Sequence, residues 1–277
     1  MKRSLAIHLA PVALLLCGTG AQATTTLTSA ASAVSTSLNV AGVVKVNTTI
    51  AGVSGTAGTA YDNTGNVASV NLTTPLVSGI VSAGSKVTTG VVSTEAFSSA
   101  PWSATGTANV AGANIALYTQ LLSAIPLTSI GISLNAISSM TTVGLGANGY
   151  YGTGSSSIAG LALSGSVLGA LGINTSLISN PSASTVLATL PGLTLTLNEQ
   201  ITSTLTNGLS MSTNALHLAL NDYAFDGQLL SGDIILGHSE ASITGAVPEA
   251  SSWAMMVVGF GLLGGLARRR KPVPLNA

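Results

Sequence analysis

Short runs of aliphatic residues recur along the middle of the chain, either alternating with polar residues or uninterrupted. Gly, Asn, Asp or Pro interrupts them about every 8–12 residues, a texture typical of β-sandwiches and barrels. Residues 61–66, Tyr-Asp-Asn-Thr-Gly-Asn, have the composition of a turn. We therefore predict an all-β, β-sandwich-like domain. Its clearest strands are expected at 40–53, 67–72, 86–92, 105–117, 193–197, 210–220 and 232–237.

The stretch 115–190 is the exception, because its aliphatic residues are also compatible with helical spacing. Leu121, Leu122 and Ile125 fit one face of a helix, and residues 158–178 have a similar pattern. Pro126, Pro181 and frequent glycines interrupt this stretch, Pro191 follows it, and proline breaks or kinks a helix. We therefore expect short helices or loops in 115–190 rather than a helical bundle.

Residues 207–220 alternate most clearly, and a second stretch of the same character, 230–242, follows. Side chains two positions apart share one face of a strand. Alternation therefore predicts one face made of Met211, Thr213, Ala215, His217 and Ala219, and an opposite face made of Leu216, Leu218 and Leu220.

The first 23 residues have the three parts of a secretory signal peptide. These parts are the positive start Lys2-Arg3, the apolar segment 5–17 and the small-residue pattern Ala21-Gln22-Ala23. Signal peptidase is the expected partner, and Thr24 is the expected first residue of the mature chain. A buried N-terminal helix is one alternative. Lipidation of Cys17 is another, although Leu16 is larger than the residue that lipoprotein processing takes at that place.

The C-terminal end combines an apolar segment with flanking residues that suit a membrane. The segment 250–267 has 18 uncharged residues, about 27 Å as a helix, which is just enough to cross the hydrocarbon core. Trp253 lies near its outer edge, and a basic run, 268–271, follows it. We predict a transmembrane helix with its C-terminal end inside, followed by a cytoplasmic tail at 272–277.

This end resembles the PEP-CTERM sorting signal, in the subgroup where Ala follows Trp. The residues that carry the resemblance are Pro248, Glu249, Trp253, Ala254, Met255, Met256, Gly259, Phe260, Gly261, Arg268, Arg269 and Arg270. The resemblance implies recognition and cleavage by exosortase, an intramembrane transpeptidase-like enzyme of Gram-negative bacteria that make exopolysaccharide. Ala250 stands where the family has a second proline. A permanent C-terminal anchor is the alternative.

Residues 207–245 also resemble the end of the choice-of-anchor P extracellular domain. The resemblance rests on Asn214-Ala215-Leu216-His217 and on the following segment from Gly232 to Ala241. From about residue 38 to residue 206 it is one of texture alone. The family joins one exported β-rich domain to various anchors, and the resemblance implies no activity, cofactor or catalytic residue.

Charge is scarce and unevenly placed, which narrows the classes of partner. Charged residues make up 6% of the chain, and six of the eight Lys and Arg lie at its two ends. Residues 24–247 have two lysines against seven acidic residues, a net charge of −5. Nucleic-acid binding depends on basic residues against phosphates, so we exclude nucleic acid as a partner. With 46% hydrophobic but 4% aromatic residues, the core must be built from small aliphatic side chains.

The chain offers few residues for catalysis or metal binding. Cys17, the one cysteine, lies in the signal segment, so the mature protein has no disulfide framework. His217 and His238 lie near several carboxylates in the sequence, and we expect them to be hydrogen-bonded histidines on strands, with a metal site or an acid–base pair as the alternative. The Asp226-Gly227 pair is typical of a turn, with a Ca²⁺ loop as the alternative. We predict no catalytic residue, no metal and no cofactor.

Together these observations predict an exported protein with four parts. They are a signal peptide at 1–23, an exported β-rich domain at 24–247, a sorting tail at 248–271 and the short tail at 272–277. The predicted function is structural or interactive, in the cell envelope or at the surface, with a link to exopolysaccharide or biofilm matrix and no enzymatic activity. A glycan-binding or adhesin module is the first alternative, and a secreted hydrolase is the second. The inner membrane is its expected place before processing.

Overall fold

The computed structural model describes residues 25–40, 44–77, 81–99, 102–121, 125–173, 175, 178–225, 227–245 and 257–261. The chain divides into two units, and the larger one, Thr24–Ala246, contains all the strands given below. The smaller unit consists of Met1–Ala23 and Val247–Ala277, and residues 257–261 are its described part and are helical.

The larger unit is built almost entirely of antiparallel strands. In chain order they are β1 (Thr26–Val40), β2 (Val44–Ile50), β3 (Val53–Ala57), β4 (Tyr61–Val67), β5 (Val70–Val77), β6 (Val81–Thr89), β7 (Val92–Ser99), β8 (Ser103–Leu121), β9 (Ile125–Gly146), β10 (Gly149–Ala159), β11 (Ala162–Ser164), β12 (Thr185–Leu190), β13 (Leu193–Leu205), β14 (Gly208–Phe225) and β15 (Gln228–Thr244). One helical turn, α1 (Gly165–Leu168), continues into a 3-10 turn at Gly169–Leu171.

The strands form two sheets. The first sheet has the order β12-β13-β14-β15-β1-β2, and β3 pairs with the other end of β1. The second has the order β10-β9-β8-β6-β5, with β11 beside β9 and β7 between β8 and β4. The first and last long strands are neighbours, because β1 pairs with β15 from Thr26↔Thr244 to Val40↔Leu230. The two ends of the domain therefore leave it side by side.

The two sheets face each other across a core of small aliphatic residues. One buried cluster joins Val34, Leu216 and Leu236 of the first sheet to Ile115 and Ile132 of the second. A smaller cluster joins residues of both sheets nearer to the chain ends: Leu27, Ala104, Val143, Met211, Ala241 and Ile243. The arrangement is a β-sandwich, as predicted. Small side chains allow very close approach, and a Cβ added at Gly106 would lie 2.4 Å from the carbonyl oxygen of Ala30.

A band of buried hydroxyl groups also joins the sheets. Thr141 Oγ1 on β9 lies 2.7 Å from Thr213 Oγ1 on β14 and 2.8 Å from Ser239 Oγ on β15. All three residues are fully buried. Because a hydroxyl both donates and accepts, the three groups can satisfy one another without a charged partner. In addition, Gln200 Nε2 donates to the carbonyl oxygen of Gly154, 2.7 Å away, from one sheet to the other.

A row of residues with left-handed backbone conformation crosses both sheets. At this row, the side chains that face the core change from odd to even residue numbers, or from even to odd. The backbone φ is positive at Gly112 on β8, Asn198 on β13 and Gly237 on β15, and at two residues that directly follow a strand, Ala51 after β2 and Gly160 after β10. By register, Gly237 lies between Ala33 of β1 and Ala215 of β14. At this level two consecutive residues face inward in the first sheet, as in the fully buried pairs Ala33–Val34 and Ala215–Leu216, and two face outward on β9 of the second, the exposed pair Asn135–Ala136. We call these five residues the transverse row.

The transverse row corrects the predicted faces of β14. Met211, Thr213 and Ala215 do face the core, but so do Leu216, Leu218 and Leu220, whereas His217 faces outward. The alternation prediction for this strand was therefore wrong. It assumed one uninterrupted strand, whereas the inward positions change from odd to even residue numbers between Ala215 and Leu216.

Other local predictions were wrong in part, because strands occupy the predicted turn at 61–66 and most of 115–190, where short helices or loops were expected. Residues 61–66, expected to form a turn, belong to β4, an edge strand held to β3 by the Asn63 Nδ2 bond to the Ser54 carbonyl, 2.8 Å away. The predicted strand 40–53 is divided between the end of β1, β2 and the start of β3. Within 115–190, a short helix does occur, at 165–171, but Leu121 and Ile125 lie in strands.

The predicted signal helix at 1–23 and the basic run at 268–271 lie outside the described residues, as does most of the predicted transmembrane segment 250–267. Among the residues that the structure describes, no helix has the length and apolar composition needed to cross a membrane.

Candidate functional site

The outer face of the first sheet carries a continuous row of polar side chains on β13, β14 and β15. The reversal at the transverse row places Asn214 and His217, three residues apart, on this same outer face. Register brings Glu199 opposite Asn214, and Asn214 opposite His238. We call Glu199, Asn214, His217, Asp233, His238 and Glu240 the polar row.

His217 lies between two carboxylates at one end of the polar row. Its Nδ1 is 2.7 Å from Glu199 Oε2, and its Nε2 is 2.8 Å from Asp233 Oδ1. Ionised carboxylates only accept hydrogen bonds, so each ring nitrogen must carry a proton for both contacts to be hydrogen bonds. The His217 side chain is 16% exposed, and Asp233 is about half exposed, so the contacts lie at the protein surface.

Asn214 links the two histidines. Its Nδ2 donates to Glu199 Oε2, 2.7 Å away, and its Oδ1 accepts from His238 Nδ1, 2.6 Å away. The Asn214 residue is buried although it lies on the outer face, because its neighbours in the row cover it. Both groups of the amide are therefore satisfied, and the amide fixes which nitrogen of His238 carries a proton.

Glu240 ends the row. Its Oε2 lies 3.6 Å from His238 Nε2. The neighbouring His238 side chain lowers the pKa of Glu240, against the opposite effect of partial burial. The Glu240 side chain is 53% exposed, so the pair contributes little to stability.

A shallow depression of about 400 Å³ adjoins this end of the polar row. It lies on β15, β1 and the β2–β3 edge and is open to solvent. Its lining consists of small aliphatic residues, four hydroxyl side chains and the His238–Glu240 pair: Ala30, Ala31, Ser32, Ser35, Thr49, Gly52, Val53, Ser54, Ile235, His238 and Glu240. Hydroxyl, imidazole and carboxylate groups together can donate to and accept from a polyhydroxylated ligand.

The geometry does not suit metal binding. Glu199 and Asp233 approach His217 from opposite nitrogens of the ring, so the three groups do not converge on one point. In the part of the chain that the structure describes, no group of three or more His, Cys, Asp or Glu residues is placed to hold an ion. Asp222 Oδ1 accepts a hydrogen bond from Ser231 Oγ, 2.6 Å away, within the β14–β15 hairpin. Asp226 lies outside the described residues.

The geometry gives His217 no general-base role toward a hydroxyl nucleophile, because carboxylates occupy both of its nitrogens. The sequence singled out the two histidines and their nearby carboxylates but did not single out Asn214 or Glu199 as their partners. Both are contributed by pairing across strands, and only the register brings them together.

The residues predicted to direct sorting fall mostly outside the described residues. These are Ala21, Ala23 and Thr24 at the signal cleavage point, and Pro248, Glu249, Trp253, Arg268, Arg269 and Arg270 in the tail. Gly259 and Gly261 lie in the described helical segment 257–261, where an added Cβ would meet nothing within 4 Å. Val257, Val258 and Phe260 of this segment are exposed.

Comparison with known proteins bears on the C-terminal end. Residues 246–271 match the family model of the PEP-CTERM protein-sorting motif. No curated protein and no solved structure matches the chain. The resemblance of residues 207–245 to the choice-of-anchor P domain is not confirmed and stays a prediction. The chain is thus an exported, exosortase-targeted protein that carries a PEP-CTERM sorting motif and is anchored in a membrane before processing.

Proposed function

We propose that the protein is a structural or interaction component of the bacterial cell envelope, without enzymatic activity, and is linked to the exopolysaccharide or biofilm matrix. The sorting motif at 246–271 carries this proposal. Such a motif directs a protein to the envelope and has no chemistry of its own, so the exported domain must perform the function there.

Sorting in this proposal has three steps. Signal peptidase removes residues 1–23, residues 250–267 hold the chain in the inner membrane, and exosortase then cuts near Pro248–Glu249. Cleavage separates the sandwich from its membrane segment, for attachment elsewhere or for release. The basic residues 268–271 resist translocation and keep the end of the chain inside.

The surface of the sandwich supports a role in contact rather than in catalysis. Its outer faces are rich in Ser and Thr, and the polar row binds its own members rather than leaving a reactive group free. Hydroxyl-rich strands form many weak hydrogen bonds with hydrated polymers, and a net charge of −5 keeps the domain soluble.

The test is made in the native host. Deleting the gene should reduce matrix cohesion or surface adhesion, and the wild-type gene should restore it. A variant ending at Ala246 should be secreted but fail to restore the phenotype, because it lacks the sorting signal. Full restoration by that variant would show that sorting is not needed for function. An unchanged phenotype on deletion would contradict the proposed matrix role.

The depression beside His238 and Glu240 favours a second candidate function, the binding of a glycan. Ser54→Leu, which places an apolar side chain in the depression, should lower binding of matrix polysaccharide isolated from the host. Thr153→Leu is the matched control, since Thr153 is exposed on β10 of the other sheet. Equal binding by both variants and the wild type would exclude this site.

An enzymatic role makes a different prediction. Purified protein would then turn over a polysaccharide or ester substrate, and His217→Ala or His238→Ala would abolish the turnover. We expect no turnover in the wild type.

A further inference from the structure

Exposed aromatic residues of the sandwich are gathered at the end where the chain enters and leaves. We call this the exit end. It comprises residues 25–26 and 244–245, the turns 57–61, 146–149 and 205–208, and residues 99 and 102–103, as the register shows. The two sheets meet there through the cluster of Leu27, Ala104, Val143 and Ile243.

Trp102 and the tyrosines 150 and 151 are the large exposed aromatics in the described part of the sandwich. All three lie in or beside the turns of the exit end. Trp102 is 59% exposed, and its carbonyl accepts a hydrogen bond from Leu145, the register partner of Tyr150. The Tyr150 hydroxyl lies against Gly245, the last described residue of the domain. Leu205, in the 205–208 turn of the exit end, is also exposed.

The distribution of charged residues is opposite to that of the exposed aromatic residues. No charged residue occurs in the segments that form the exit end, and the nearest in sequence is Asp62, at the start of β4. Of the seven acidic residues of the domain, Asp222, Asp226 and Asp233 lie in the part of the β14–β15 hairpin nearest its turn, which is at the opposite end. An uncharged end with Trp and Tyr side chains is the composition found at membrane–water interfaces.

The length of chain beyond the sandwich identifies the surface that this end meets. Residues 246–249 separate Gly245 from the apolar segment that begins at Ala250. Five extended residue steps span at most about 17 Å, so an uncut chain holds the exit end near the bilayer. We propose that, before cleavage, the exit end rests in the bilayer interface through Trp102, Tyr150, Tyr151 and Leu205.

This proposal rests on the membrane anchoring that the sorting motif implies, and it adds an orientation. The strands stand on the membrane with the polar row above it and the acidic hairpin farthest from it. Amphipathic Trp and Tyr rings place their apolar body in the interface and keep their polar group hydrated. After cleavage these four side chains no longer have an anchor beside them, and the interface contact is weak enough to release.

The experiment uses the full-length chain in lipid vesicles. The sequence has two tryptophans, so Trp253→Phe leaves Trp102 as the one fluorophore. Brominated lipids, which quench tryptophan at the interface, should quench Trp102 at least about twofold more than a control tryptophan. The control is Leu229→Trp combined with Trp102→Phe and Trp253→Phe, because Leu229 is exposed beside the β14–β15 turn. Tyr150→Ser with Tyr151→Ser should reduce the quenching of Trp102.

A second measurement leaves all four side chains intact. In a chain that also carries Cys17→Ser, an environment-sensitive dye on Asn148→Cys, in the 146–149 turn, should emit at shorter wavelength in vesicles than the same dye on Leu229→Cys. Protease protection of a C-terminal tag reports tail insertion separately. Equal quenching and equal dye emission at the two ends, with the tail inserted, would overturn the orientation and leave the sorting proposal standing. A tail that does not insert would overturn both.

Discussion

Thr141 shows how this chain joins two sheets with little aromatic residue in its core. Its hydroxyl contacts Thr213 and Ser239 on two strands of the opposite sheet, and all three residues are fully buried. Two other serines face the same interior, Ser139 and Ser156, and their hydroxyls have no hydrogen-bond partner. Buried hydroxyls on β9 and β10 therefore fall into two kinds, those that connect the two sheets and those that have no hydrogen-bond partner.

Substitution distinguishes these two kinds. Thr141→Val keeps the shape but leaves the hydroxyls of Thr213 and Ser239 without their partner, so we expect a loss of about 1–3 kcal/mol of unfolding free energy. Ser139→Ala removes a hydroxyl that has no partner and should be neutral or slightly stabilising. Urea unfolding of the two variants measures the difference. Equal losses would show that the Thr141 contacts do not stabilise the sandwich.

The His238–Glu240 pair gives a pH dependence of defined sign. The neighbouring His238 lowers the pKa of Glu240 in the folded protein. A carboxyl with a lowered pKa stabilises the fold above its unfolded pKa, and this contribution is lost as the pH falls through the folded pKa. Because Glu240 is half exposed, we expect less than about 1 kcal/mol.

Glu240→Gln removes this contribution, so the variant should lose less stability than the wild type between about pH 6 and about pH 3. All other carboxyl groups are common to the two proteins, so the measured quantity is the difference between them in urea midpoint. A difference that is constant across this range would contradict the assignment.

At the scale of whole strands, the transverse row is the feature that organises the domain. If long strands such as β8, β9, β14 and β15 were regular, the side chains that face the core would lie either all at odd or all at even residue numbers. Instead, the inward-facing positions of each strand change between odd and even residue numbers at the transverse row. A residue with positive φ, on or at the end of every second strand, permits the change. Glycine adopts this conformation at little cost, and asparagine adopts it more readily than most other residues.

Gly112 on β8 allows a test of this device. An added Cβ would meet nothing nearer than 4.0 Å, so the cost of substitution there is conformational rather than steric. Gly112→Ala should reduce the unfolding free energy by about 1–2 kcal/mol, and Gly112→Asn by less, because asparagine tolerates positive φ. Thermal unfolding followed by circular dichroism ranks the variants. Equal loss in both would indicate that φ at this residue is not the determinant.

The sequence predicted the strands best where aliphatic side chains mark the inward positions. Leu193–Leu197, Ser210–Leu220 and Gly232–Gly237 all lie within observed strands. β1 was not predicted, because Ser, Thr and Ala fill most of it and it resembles a linker in composition. Its strand character comes from pairing with β15 along its whole length, a contact between residues about two hundred positions apart that no local pattern contains.

The sequence predicted only part of the polar row, because the row also depends on pairing between distant strands. His217 and His238 were noticed because histidine is rare in this chain. Their outward direction depends on the parity change at Ala215–Leu216, which simple alternation did not anticipate. Their partners Glu199 and Asn214 depend on the register of three strands.

Across the whole molecule, the two ends of the sandwich differ in composition and in what they adjoin. The exit end is uncharged and aromatic and continues into the sorting tail, and the opposite end carries the acidic hairpin. Both chain termini of the domain lie at the exit end, because β1 and β15 are paired neighbours. The proposed cleavage near Pro248–Glu249 would therefore require no rearrangement of the sheets, because it falls beyond β15, which ends at Thr244.

The fate of the tail gives the last prediction. In a host with an active exosortase, the full-length protein should be transient, and in a host without the enzyme it should accumulate in the inner membrane.

Ala250→Pro restores the fuller Pro-Glu-Pro form and should speed processing if the enzyme reads that residue. Replacing Arg268, Arg269 and Arg270 with Gln should weaken retention, because positive charges oppose translocation of the end. Asp62→Asn, which alters charge on the sandwich alone, is the control and should process like the wild type. Pulse–chase tracking of tagged protein in both hosts measures each rate. Equal persistence of the full-length form with and without the enzyme would contradict processing by exosortase and favour the alternative of a permanent anchor at 250–267.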